Sequence, residues 1–388
     1  MTPSQPKPRS ASPFVRLAEL IAGSSPADTP IDLALGEPRH GVPGFVGPIL
    51  AARTADFSRY PPQRGTPEFR AAVAAWTQRR YGVALDAERQ VIALAGSREG
   101  LFTACLAASR LKPVARPVVL VPNPYYQAYG AAAPFVGAEI VPLPATAETG
   151  FLPDFHSLDP DLLARTVCAY LASPANPQGA VADMDYLTRL VALARLHGFM
   201  LFADECYSEI YSGAPPPGML QAAGTAGFDR VVAFNSLSKR SNLAGLRVGW
   251  ASGDATFLDA LMELRGIAAP TVPIPALEVG AAALADEAHV EASRALYVEK
   301  FRLARDMLGA APPAGGFFLW LDARAHGGGE ALALRLWREA GVKTLPGGYL
   351  GRPGPDGVNP GENHLRVALV ADVATTREAL TRMARLVA

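Results

Sequence analysis

The stretch FNSLSKRSNLAGLRVG, residues 234–249, ends an apolar run and opens a polar one. Val231, Val232, Ala233 and Phe234 predict the end of a buried strand. Ser236 and Ser238 follow, then Lys239, and Arg247 eight positions on. A lysine held at a strand end can form a Schiff base with a carbonyl and act as a covalent catalyst. Serine hydroxyls and a guanidinium beside it are suitable donors for an anion such as phosphate. An exposed loop with ordinary surface charges has the same composition, so the flanking segments must decide.

Working outward, apolar runs at Val91–Leu94, Val118–Val121, Glu139–Pro142, Cys168–Leu171 and Met200–Ala203 predict further strands. Helical patterns over Pro67–Tyr81, from Leu101, from Tyr126 and over Asp183–His197 lie between them. Strands alternating with helices predict an α/β fold, a mostly parallel sheet flanked by helices. Ligands in such sheets bind beyond the carboxyl ends of the strands, and the polar clusters all begin where an apolar strand stops. After about residue 275 the texture changes. A long helix over 276–309, strands at Phe317–Leu321, Val342–Leu345 and His364–Leu369, and helices at Glu330–Ala340 and the C-terminus predict a smaller α+β domain. The Gly/Pro-rich loop 346–361 is long enough to suggest function or disorder.

The composition narrows the function classes. At 388 residues two domains are the default. Lys+Arg and Asp+Glu are both 36, so no basic surplus points to nucleic acid or an anionic membrane. Cys105, Cys168 and Cys206 are odd in number and far apart, as expected in a reducing cytoplasm. The opening residues MTPSQPKPRSASP lack the apolar core of a signal peptide. The six histidines show no metal-ligand spacing, and dinucleotide, Walker and nucleophile-elbow signatures are absent.

Each polar cluster admits two readings. Asp204 can hold a pyridinium nitrogen protonated or cap the next helix. Tyr207 and Asn176 can share a phenolate oxygen, or be a packed tyrosine and an ordinary turn residue. Gly96-Ser97-Arg98 opens a helix, where backbone N–H groups suit a phosphate. Tyr126 can stack on an aromatic ring or belong to the core. Arg366, inside an apolar strand, needs an anionic partner if buried, such as a substrate carboxylate; on an edge strand it needs none.

Taken in order, Gly36, Tyr60, Gly96-Ser97-Arg98, Tyr126, Asn176-Pro177, Asp204 with Tyr207, Ser236, Ser238-Lys239, Arg247 and Arg366 resemble the class I/II aminotransferases of the pyridoxal-phosphate fold-type I family. The resemblance runs from about residue 14 to the end. It implies Lys239 as the lysine that binds pyridoxal 5'-phosphate, Asp204 as partner of its ring nitrogen, and Asn176 with Tyr207 on its phenolate oxygen. It implies Ser97, Arg98, Ser236, Ser238 and Arg247 around the phosphate, with Tyr60 reaching it across a homodimer interface. Arg366 matches the clamp on the substrate α-carboxylate, with Gly36 and Asn176 beside it.

The segments GEPRH (36–40), SLSKRSNLAGLRVGW (236–250) and DEAHVEASRALYVEKF (286–301) are also similar to bacterial N-succinyldiaminopimelate aminotransferases of lysine biosynthesis, although Ala244 stands where proline is expected. Such an enzyme exchanges amino groups between glutamate and N-succinyl-2-amino-6-ketopimelate, and its distal carboxylate needs a second cation, for which Arg39 and Arg98 are candidates. An aspartate- or aromatic-type aminotransferase, a C–S β-lyase and a pyridoxal-binding regulatory module are the alternatives. The expected division is a flexible tail (1–13), the N-terminal part of a small domain (14–42), a large cofactor-binding domain (43–275) and the C-terminal small domain (276–388).

Overall fold

The computed structural model describes residues 12–224, 227–268, 270–354 and 356–387. Most of the expected tail lies outside the described residues, and Pro13 already opens helix α1 (Pro13–Ile21). Strand β1 (Ile31–Asp32) and helix α2 (Val46–Ala52) follow. Helix α3 (Pro67–Tyr81) shows why the sequence marks its ends so clearly. The Thr66 side chain accepts from Phe69 N, Pro67 fills the first turn, and Gly82 closes the helix in the left-handed region.

The next elements build one sheet. They are β2 (Val91–Leu94), α4 (Ser97–Leu111), β3 (Val118–Asn123), α5 (Ala128–Ala131), β4 (Glu139–Pro144), α6 (Pro160–Arg165), β5 (Thr166–Ala172) and α7 (Met184–His197). The run continues with β6 (Met200–Asp204), α8 (Met219–Ala223), β7 (Val231–Ser236), α9 (Leu237–Arg240), β8 (Gly249–Gly253) and α10 (Ala255–Ala268). Seven strands pair in the order β2-β8-β7-β6-β5-β3-β4. β8 runs antiparallel to both its neighbours, β2 and β7, and the other pairings are parallel.

Both faces of this sheet are covered. Val119, Val121, Cys168, Tyr170, Phe202 and Phe234 point into one apolar layer; Val118, Leu120, Ala169, Leu171, Leu201 and Ala233 point into the other. This period-two alternation of wholly apolar residues is what a doubly covered parallel sheet requires. Ala172 pairs with Asp204, and Asp204 with Phe234, across β5, β6 and β7. The residues after these strands therefore emerge side by side at one edge.

Beyond residue 273 the chain departs from expectation. One helix over 276–309 is in fact two, α11 (Ile274–Ala285) and α12 (Ala288–Leu308). Asp286 interrupts them with extended backbone (φ −101°, ψ 114°), and its carboxylate accepts from Ala288 N at 2.9 Å. Local side-chain capping has outcompeted helix continuation. Leu277, Val279, Ala283 and Leu284 of α11 pack with Phe69, Val73 and Trp76 of α3. The change of packing partner therefore falls at Asp286–Glu287.

The remaining elements are β9 (Phe318–Asp322), α13 (Gly329–Ala340), β10 (Val342–Lys343), β11 (Leu345–Pro346), β12 (His364–Ala368) and α14 (Val373–Val387). The single strand expected over Val342–Leu345 is divided: β10 runs parallel to β1, while β11 joins β12 and β9 in a second sheet. Ile31 and Leu33 share a core with Tyr297, Phe317, Leu336 and Leu380, so the N-terminal segment packs with the C-terminal elements. Among the described residues no helix is long and apolar enough to cross a membrane. Nor do three or more His, Cys, Asp or Glu gather to hold a metal ion.

Candidate active site

A cavity of about 1000 Å³ opens at the carboxyl edge of the large sheet. Gly36, Ser97, Arg98, Tyr126, Asn176, Asp204, Tyr207, Ser236, Ser238, Lys239, Arg247 and Arg366 all line it. They come from seven chain segments, brought together by the strand ends and by β12. Two expected residues are not in the lining. Tyr60 is fully exposed, and Arg39 is exposed, with its backbone N–H on Val370 O at 3.3 Å. Within its own chain, Arg39 is not brought to the cavity.

Lys239 stands where β7 passes into α9. Ser236 makes that passage, its hydroxyl accepting from Ser238 N at 3.1 Å. The ammonium of Lys239 donates to the Gly36 carbonyl oxygen. Burial lowers the Lys239 pKa from 10.5 to about 8, against the opposing pull of Cys206, Glu37 and Asp204. An amine so placed exchanges a proton near neutral pH.

Asp204 closes β6. Burial pushes its pKa above the usual carboxylate range, while hydrogen bonds, including those from Tyr129 and Cys206, pull it back. The Tyr129 hydroxyl donates to Oδ2 at 2.8 Å and the Cys206 N–H to Oδ1 at 3.2 Å. A carboxylate this enclosed is suited to a cationic donor. Tyr129 is held in turn by a stack on Tyr170, with ring centroids 4.9 Å apart.

Sequence reading stopped at Tyr126 and missed Tyr129. The signal was present in YYQAY (125–129), three residues further on. Tyr126 itself accepts a hydrogen bond from the Arg98 side chain.

Opposite, Arg366 is only 4% exposed on β12. It donates to Asn176 Oδ1 at 3.1 Å and to Ala34 O at 2.7 Å, and lies 4.4 Å from the Phe318 ring centroid. Its Nε is buried and makes no hydrogen bond among the described residues. Burial lowers its pKa from 12.5 to about 10. Tyr207 is wedged beside it, its ring edge-on to Phe317 and Phe318.

A cluster of anion donors completes the cavity lining. Gly96 precedes α4 with φ +83°, and a Cβ there would fall 2.1 Å from Arg247 Nη2. The backbone (φ +83°, ψ 153°) calls for glycine here, and any side chain would also push the guanidinium aside. The α4 N-terminus, the hydroxyls of Ser97, Ser236 and Ser238, and Arg247 form a donor set for a phosphate. With a half-buried lysine amine and a buried carboxylate in the same cavity, these residues fit a phosphorylated pyridine aldehyde.

Residues 22–383 match the family described as aminotransferase class I and II. The chain belongs to the class I and II aminotransferases. These aminotransferases depend on pyridoxal phosphate, the group the donor set fits. The chain is 32% identical over 371 residues to the LL-diaminopimelate aminotransferase of Syntrophobacter fumaroxidans, covering 92% of this chain and 91% of that one. The crystal structure of an aminotransferase from Neisseria meningitidis matches with a TM-score of 0.92 and 36% identity, over 98% of both chains. A probable N-succinyldiaminopimelate aminotransferase from Thermus thermophilus matches with a TM-score of 0.82 and 28% identity, over 96% of this aminotransferase and 100% of that chain.

Proposed function

We propose that this aminotransferase exchanges amino groups between glutamate/2-oxoglutarate and N-succinyl-2-amino-6-ketopimelate/N-succinyl-LL-2,6-diaminopimelate, as a cytoplasmic homodimer with shared sites. The observation that carries amino-acid transamination is Arg366. A buried guanidinium with an unused Nε and, among the described residues, no carboxylate partner suits a substrate α-carboxylate bound fork to fork. Diaminopimelate chemistry is supported by the names of the Syntrophobacter and Thermus relatives. The former favours a second reading, in which LL-diaminopimelate itself is the amino donor.

Pyridoxal phosphate, when bound, supplies an aldehyde to receive the amino group and a ring that takes up the electrons left when the Cα proton departs. Lys239 Nζ removes and returns that proton; its pKa of about 8 lets it do both near neutral pH. Asp204 keeps a negative charge in the buried floor, held by Tyr129 and Cys206. Ser97, Ser236, Ser238 and Arg247 hold the phosphate, and Asn176 fixes the plane of the Arg366 guanidinium.

A half-reaction screen on cofactor-loaded protein tests the proposal. Glutamate and N-succinyl-LL-2,6-diaminopimelate should both convert the cofactor to its aminated form. Conversion by LL-diaminopimelate in place of the succinylated compound would establish the second reading. Broad conversion by aspartate or aromatic amino acids, or release of pyruvate and ammonia from cystathionine, would overturn both.

A further inference from the structure

Lys300 has no exposed surface and belongs to no part of the cavity. It lies on α12, where Ser293, Tyr297 and Lys300 follow one another on a single helical face at spacings of four and three. Among the described residues no carboxylate pairs with it; Asp372 acts on it without forming an ion pair. Its Nζ donates instead to Leu369 O at 3.0 Å and faces His40 Nε2 at 2.7 Å.

Burial lowers Lys300 to about 8 and His40 to about 4, so near neutral pH the lysine is charged and the imidazole neutral. An ammonium has no lone pair, so His40 Nε2 accepts and the ring proton sits on Nδ1. Nδ1 therefore donates to Ser293 Oγ, 3.1 Å away, which also accepts from Asn242 Nδ2 at 3.4 Å. The imidazole rests on Tyr297, centroids 4.6 Å apart.

This relay joins the chain segments that carry the catalytic groups. His40 ends the segment whose Gly36 carbonyl receives Lys239 and whose Ala34 carbonyl receives Arg366. Leu369 directly follows β12, which carries Arg366. Asn242 lies between Lys239 and Arg247.

We propose that Lys300 and His40 are positioning residues for substrate carboxylate binding: the buried Leu369–Lys300–His40–Ser293 relay fixes segment 34–40 and the end of β12 to one face of α12, and so sets where Arg366 stands relative to Lys239. The proposal rests on Arg366 being the carboxylate clamp. Loss of the ammonium leaves the Leu369 carbonyl and His40 Nε2 without partners, and both chain segments around Arg366 lose a common anchor.

The test compares Lys300→Met, His40→Phe, His40→Gln and Arg366→Ala in the cofactor-loaded enzyme, with glutamate kinetics and calorimetric binding of glutarate, a dicarboxylate with no amino group. Lys300→Met and His40→Phe should raise the glutamate KM and weaken glutarate binding on the order of tenfold, with kcat altered far less, since a lost clamp geometry acts on uniform binding. The cofactor absorbance should not change. His40→Gln keeps an acceptor near the position of Nε2 and should restore glutarate affinity to within about threefold of wild type. The proposal falls if His40→Gln is as impaired as His40→Phe, or if Lys300→Met and His40→Phe bind glutarate as wild type does. Should Lys300→Met fail to fold, the two His40 variants decide. If Arg366→Ala leaves glutarate binding unchanged, the clamp assignment falls, and this inference falls with it.

Discussion

Arg366 Nη1 donates to Asn176 Oδ1 at 3.1 Å, while the Nε of the same buried guanidinium makes no hydrogen bond among the described residues. Folding has enclosed a cation and withheld an anionic partner, an arrangement that costs stability unless a ligand supplies the charge. Arg366→Ala should therefore reduce kcat/KM for glutamate. The loss of two charge-assisted hydrogen bonds, roughly 1.5–3 kcal/mol each, corresponds to about 10²–10⁴-fold. Arg366→Lys keeps the charge but not the planar fork, and should recover only part of it. Steady-state kinetics with glutamate measure both, and an unchanged kcat/KM in the alanine variant would remove Arg366 from the substrate.

Gly96 and Arg247 are coupled in a similar way. A methyl group at 96 meets Arg247 Nη2 at 2.1 Å on a backbone with φ +83°. With ψ 153° this is backbone that only glycine adopts readily, so Gly96→Ala should cost roughly 1–3 kcal/mol of stability from the backbone alone, and should also displace the guanidinium. The expected result is a folded protein that loses cofactor on dialysis faster than wild type. Retention equal to wild type would separate Arg247 from phosphate binding.

Asp204 gives two graded variants. Asp204→Asn removes the charge at constant size, and turnover should fall on the order of 10²-fold or more while cofactor still binds. Tyr129→Phe removes only the 2.8 Å hydrogen bond that pulls the Asp204 pKa down. Asp204 then rises further, so activity should begin to fail at a higher pH on the acid side. A pH–rate profile for Tyr129→Phe superimposable on wild type would show that this hydrogen bond does not tune the carboxylate.

How far such residues were legible in sequence depended on where their partners come from. Asp204, Ser236 and Lys239 announced themselves because each ends or follows a strand that opens as an apolar run, and a strand end in a parallel sheet is a defined place. Arg366 was legible for the opposite reason, a charge inside an apolar strand. The Asp286 break between α11 and α12 was hidden, since alanine-rich pattern continues through it and only the side-chain capping of Ala288 N reveals the stop. The division of the expected Val342–Leu345 strand into β10 and β11 was hidden because the partner of β10, β1, lies more than 300 residues earlier in the chain. Arg39 followed a glycine that does line the cavity, yet adjacency in sequence did not carry its side chain there.

Lys239 also makes a prediction about stability and pH. Its pKa is about 8 in the folded protein against 10.5 ordinarily. The unfolded chain therefore holds that proton more tightly, and the charged amine destabilises the cofactor-free fold below pH 8. The penalty is relieved as pH rises from 8 to about 10.5, with a slope of at most ~1.4 kcal/mol per pH unit. Lys239→Met should thus stabilise the cofactor-free protein at pH 7 and progressively less above pH 8. Urea denaturation of both proteins across this range checks it, the comparison cancelling Lys300, which titrates in the same window. A stability difference independent of pH would mean that Lys239 is not desolvated as the structure has it.

Tyr60 presents its whole side chain to solvent and contributes nothing to the cavity of its own chain. In a dimer with shared sites, that exposed phenol is free to reach the phosphate donor set of the partner. Tyr60→Ala should then weaken cofactor retention, while Lys239→Ala abolishes turnover in its own site. The two variants together distinguish the arrangements. If Tyr60 serves the partner, a mixed dimer contains one site with both residues intact, because the Lys239→Ala chain lends its Tyr60 to the other chain's Lys239. Co-refolding the two variants should therefore yield more turnover than either alone under limiting cofactor. If mixed dimers form and turnover stays at the sum of the separate proteins, Tyr60 does not act across the interface.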